Sequence, residues 1–157
     1  MTWRGTNTVS DRIFASLAYI LPLLDALPFG LFLISQFPAI GLIYIPLQPL
    51  LTIYQLPFAS FAIFLVLFLA VVRNERISHF IRFNVMQSIL IGIALSLLGL
   101  FFQILVPALG ASLITQTLFN IVFLGTLAAS LYSIIQSALG KYAEIPAISE
   151  ASYMQVR

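Results

Sequence analysis

The sequence predicts an all-α integral membrane protein. It has four transmembrane helices, arranged as two hairpins, with both termini on the cytoplasmic or stromal side. Three observations lead there. Hydrophobic residues make up 61% of the 157 and charged residues 8%, against about 45–50% and roughly 25% in soluble domains. Residues 13–72 hold one charge, Asp25, and residues 83–140 hold none. One helix crosses a bilayer with about 20 apolar residues, so each run holds two helices and a connection. All seven Lys and Arg lie outside those runs, which by the positive-inside rule marks one side as cytoplasm or its organellar equivalent, the stroma.

Helix 1 is expected over about 12–37. Its apolar run is too long for a cleavable signal peptide, and no Arg/Ser-rich presequence is expected ahead of it. Within "LPLLDALPFG", Pro22 and Pro28 flank Asp25. An acid inside a span is a functional candidate. Two readings stand. The prolines break the helix and Asp25 caps its second half or makes another structural hydrogen bond, or Asp25 contacts a partner or substrate.

The connection "PAIGLIYIPLQPLLTIYQLP" carries four prolines, and Tyr44 and Tyr54. Proline interrupts helices and tyrosine favours the membrane interface, so a short helix or turn is expected over 46–55. Helix 2 follows over 56–73.

The near-side turn gathers Arg73, Glu75, Arg76, His79 and Arg82. If the helix starts near 75, Glu75 stands four residues before His79 and can pair with it. The cluster reads as a topology anchor or as a docking surface. Helix 3 is expected over 77–106 and helix 4 over 113–139, joined by "PALGAS", with a polar tail over 140–157.

Small residues let membrane helices approach closely. Ser88, Gly92, Ser96, Gly99 and Gln103 line one face of helix 3. Thr126, Ser130, Ser133 and Ser137 line one face of helix 4. The two stripes are expected to meet.

Chemistry is sparse. The chain has no cysteine and one histidine, too few ligands for a metal site. It has no phosphate-binding loop, dinucleotide fingerprint or nucleophile elbow. No cofactor and no enzymatic activity are expected. A net charge of +2 without a basic run argues against nucleic acid.

"SHFIRFNVMQSILI" (78–91) and "AYILPLLDALPFG" (18–30) resemble the twenty-kilodalton subunit family of the chloroplast inner-envelope import translocon, the TIC complex, in its cyanobacterial or plastid-encoded form. The resemblance spans roughly 12–140 and marks Asp25, His79, Arg82, Phe83, Asn84, Met86 and Gln87 as signature residues. It implies a four-span protein of the cyanobacterial plasma membrane or chloroplast inner envelope. It also implies a protein-translocation subunit whose partners are the bilayer, other translocon subunits or further copies of itself, and translocating preproteins. The competing readings are an assembly subunit that does not conduct, and a small ion or solute channel.

Overall fold

The computed structural model describes residues 7–156, and among them every regular element is helical. α1 (Val9–Leu17) opens at Thr8. The Thr8 hydroxyl accepts from the Asp11 N–H at 3.2 Å, and Asp11 Oδ2 accepts from the Thr8 N–H at 3.0 Å. This reciprocal cap satisfies two orphan donors.

Pro22 sets where α1 stops. Proline lacks an N–H, and its ring crowds the carbonyl four residues back. That carbonyl belongs to Ala18, which takes the Leu21 N–H at 3.4 Å instead. α2 (Ile20–Gln36) restarts after Tyr19 and runs through Pro28 without a break. Asp25 is therefore inside the second turn of α2, beyond the orphan N–H groups, and it caps nothing. The expected break exists, but upstream of Pro22. Together Val9–Gln36 form a 28-residue apolar stretch.

A 3₁₀ segment (Pro38–Tyr44) and α3 (Gln48–Tyr54) follow, each with proline in its first turn, where its missing N–H costs nothing. Tyr44 donates to Leu23 O at 2.9 Å and fastens this connection to α2. α4 (Ala59–Val66) continues as a π turn (Leu67–Val72), in which the Arg73 N–H reaches Phe68 O at 3.0 Å. α3 and Ala59–Val72 meet at 99°. At 1.5 Å per residue the latter spans about 21 Å, short of a hydrocarbon core of about 30 Å.

α5 (His79–Leu109) and α6 (Leu113–Ala138) form the second hairpin. Ser78 and Ser112 cap them, each hydroxyl accepting an N–H three residues on at 3.3 Å. Three helical stretches are thus long and apolar enough to cross a membrane, or four if the bent pair counts as one span.

α6 packs chiefly on α2 and α1, and more sparsely on α5. Gly30 makes the α2–α6 approach possible. A Cβ there would fall 2.5 Å from Phe123 Cε2, and Phe123 is fully buried. The Phe29, Phe102 and Phe119 rings fill the space between the three helices, with Phe102 and Phe119 stacked at 4.8 Å. α4 buries none of its residues, whereas the π turn beyond it packs on α5.

The tail folds back over the bundle. α7 (Ile148–Gln155) packs on α5 and buries Ser149 and Ser152. The Asn7 side chain donates to Gly140 O at 3.0 Å, and His79 Nε2 lies 3.0 Å from Val156 O. The starts of α1 and α5 and the ends of α6 and α7 therefore share one end of the molecule.

Candidate functional site

The signature stretch of α5 is its enclosed part. From Phe80 to Ile89 every residue but Ile81 is buried. A helix surrounded on every side must find a partner for each polar group it carries, because an unpaired amide in an apolar medium costs about 2–7 kcal/mol. Asn84 and Gln87 do so across four elements. Tyr19 donates to Asn84 Oδ1 at 2.6 Å, and Ser137 donates to the same oxygen at 3.1 Å. Asn84 Nδ2 returns to Phe80 O at 2.8 Å. Gln87 Nε2 donates to the Tyr19 hydroxyl and to Ala143 O, both at 2.9 Å. Ser149 of the tail donates to Gln87 Oε1 at 2.8 Å. Tyr19, Asn84, Gln87 and Ser137 are each 0% exposed. One polar cluster thus joins the start of α2, the motif on α5, the last turn of α6 and the tail.

His79 and Arg82 work at its edge. His79 Nε2 donates to Val156 O, and its Nδ1 lies 2.9 Å from the Tyr142 hydroxyl. Phe83 packs on Tyr153 and Tyr142, with ring centroids 4.4 and 5.1 Å apart. Arg82 Nε donates to Val72 O at 2.9 Å and closes the π turn. Met86 fills the pocket beside Val72 and Val156. The expected Glu75–His79 pair does not form. α5 begins at His79, so Glu75 lies in the preceding turn, outside any helical four-residue spacing, and is exposed. His79 and Arg82 point inward to the tail and the π turn, while Arg73, Glu75 and Arg76 remain on the surface.

Asp25 belongs to a second site. Its Oδ1 accepts from the Tyr54 hydroxyl at 2.6 Å, which ties α3 to α2. Its Oδ2 faces Gly92, where a Cβ would sit 2.9 Å away. This carboxylate stands in a half-open cleft of about 290 Å³ between α2, α4 and α5, which Ser60, Ser88 and Ser96 also line.

The two stripes do not meet each other. Gly92 faces Asp25 and Gly99 faces Phe29, both on α2, while Ser88 and Ser96 line the cleft. Gln103 is exposed. Thr126, Ser130, Ser133 and Ser137 are buried on α6, the helix that packs chiefly on α2 and α1. The reason is volume. α1 and α2 take up most of the α6 face and the Gly92–Gly99 side of α5, while α5 and α6 still touch directly through Ser137 and Asn84 and through Phe102 and Phe119. Sequence reasoning misses Tyr19, Tyr142 and Ser149, and reads Tyr54 only as an interface residue. A tyrosine in an apolar run was the available signal, since a buried hydroxyl needs a partner.

The family described as chloroplast import apparatus Tic20-like matches residues 9–152. That range includes Tyr19, Asp25, Tyr54, Asn84, Gln87, Ser137 and Ser149. A Tic20 family protein of Synechocystis sp. is 57% identical over 100% of this chain and 99% of its own length. Protein TIC 20-II, chloroplastic, of Arabidopsis thaliana is 33% identical over 99% of this chain and 78% of its own. A Tic20 family protein Ycf60 of Gracilaria tenuistipitata var. liui is 38% identical over 95% and 76%.

Proposed function

The chain belongs to the Tic20-like family of the chloroplast import apparatus, and we propose that it is a membrane-embedded subunit of a protein-translocation complex, lining part of the path of a translocating chain. The family match over residues 9–152 carries this reading. It supports a multi-pass membrane component, in an import-apparatus family with cyanobacterial and plastid members. The membrane is the cyanobacterial plasma membrane or the plastid inner envelope.

Geometry limits how one copy can act. Tyr19, Phe29, Phe102 and Phe123 fill the bundle core. The cleft of about 290 Å³ holds roughly ten waters at about 30 Å³ each. A polypeptide does not pass through such a bundle. The path therefore runs between copies or between this chain and other subunits, and the cleft, apolar-walled but carrying Asp25 and three serines, is the face we assign to it.

Photo-crosslinkers test this. One placed at Ser96, in the cleft, should capture an arrested translocating chain more strongly than one at Ile121 on the outer face of α6. Capture at neither site in an intact complex sinks the reading. The filled core favours a second reading, an assembly subunit that does not conduct. Under that reading the purified complex leaves proteoliposomes sealed while a translocating chain engages other subunits.

A further inference from the structure

We propose that the cleft beside Asp25 receives one basic side chain, Lys or Arg, carried by a transmembrane helix of a partner subunit. This names the partner chemistry of the site above and rests on the chain working inside an assembly.

Asp25 lies near the middle of the Val9–Gln36 apolar stretch. A carboxylate at that depth pairs with a cation or with other polar groups. It has one hydrogen-bond donor, Tyr54, although a carboxylate can accept about four. Among the described residues no cation pairs with it. Arg12 lies against Gly140, and Arg82 is on Val72, at the shared end of the molecule.

The cleft offers acceptors. Ser88 spends its proton on Val85 O at 2.9 Å, and Ser96 on Gly92 O at 3.0 Å. Tyr54 spends its proton on Asp25. What remains on these groups is lone pairs and the unpaired half of a carboxylate. That pattern suits a group rich in donors, and Lys brings three N–H groups and Arg five. The walls are apolar, from Phe61, Phe64 and Ile89 among others. They suit the aliphatic stem of such a side chain, with the charged head at Asp25.

The volume admits a side chain and excludes a helix, so the carrier must lie outside. Both lips are apolar and open there: Phe61 on α4 is 58% exposed and Ile93 on α5 is 42% exposed. Because α4 buries none of its residues, a second helix can run along the α4–α5 seam and turn its basic residue inward.

The test uses the full chain with a photo-crosslinker at Ser96, reconstituted in phosphatidylcholine vesicles. The probe is a synthetic Leu-rich transmembrane peptide with one central Lys, set against the same peptide with Leu there. The Lys peptide should be captured about tenfold more strongly, the size of a typical interhelical polar contact. Asp25→Asn keeps an acceptor for Tyr54 but removes the charge, and should lower capture to the all-Leu level. Equal capture of both peptides by the wild-type chain overturns the proposal and needs no variant. So does capture of the Lys peptide by Asp25→Asn at the wild-type level, with an unchanged thermal midpoint. No translocating chain is present, so failure here leaves the arrested-chain crosslink at Ser96 standing or falling on its own result.

Discussion

The Tyr19 hydroxyl donates to Asn84 Oδ1 across 2.6 Å, and both residues are 0% exposed. The same hydroxyl accepts from Gln87, so one tyrosine at the α1–α2 break organises both amides of the α5 motif. Removing either side of the bond should be unequal in effect. Tyr19→Phe removes one Gln87 bond as well but leaves Asn84 Oδ1 its bond from Ser137 and Gln87 Nε2 its bond to Ala143 O, whereas Asn84→Leu strands two hydroxyls. Expected losses are about 1–2 kcal/mol for Tyr19→Phe and about 2–4 kcal/mol for Asn84→Leu. Thermal unfolding in detergent measures both, and equal losses would count against a shared acceptor.

Gln87 holds the tail through Ala143 and Ser149. Gln87→Leu should free it without unfolding the bundle. Tryptic cleavage after Lys141, which is exposed in the turn leading to α7, should then speed up by about tenfold, because cleavage follows local opening. An unchanged rate would mean that the aromatic contacts of Tyr142 and Tyr153 are sufficient to hold the tail.

Two glycines offer a matched pair. A Cβ at Gly30 would collide with Phe123, whereas nothing lies within 4 Å of one at Gly125. Gly30→Ala should destabilise by about 1–3 kcal/mol through overpacking. Gly125→Ala should be neutral, or stabilising by up to about 1 kcal/mol through helix propensity. Comparing their unfolding midpoints in detergent decides the matter; the reverse order would place Gly30 away from the α2–α6 contact.

Orientation has a clean assay, because the chain has no cysteine. Arg76→Cys sits in the charged turn and Ala111→Cys in the α5–α6 connection, and both positions are exposed. A membrane-impermeant thiol reagent added to the outside of intact cells should label only Ala111→Cys. Labelling of Arg76→Cys instead would reverse the orientation argued from the charges.

Much of this molecule was settled locally. The lipid environment, the order of the apolar runs and the helix starts at Ser78 and Ser112 follow from composition, charge position and capping chemistry, each of which acts within a few residues. The break before Pro22 is local as well, although its effect falls four residues upstream, at the carbonyl its ring crowds. Tertiary structure alone decided which faces meet and which polar groups pair. Asp25 finds Tyr54 at a separation of 29 residues and Gln87 finds Tyr19 at 68. No short-range period encodes such partners. In an apolar bundle, buried polar groups pair with whatever packing brings within reach. Here the packing of the broken α1–α2 rod against both α5 and α6 determined what that was.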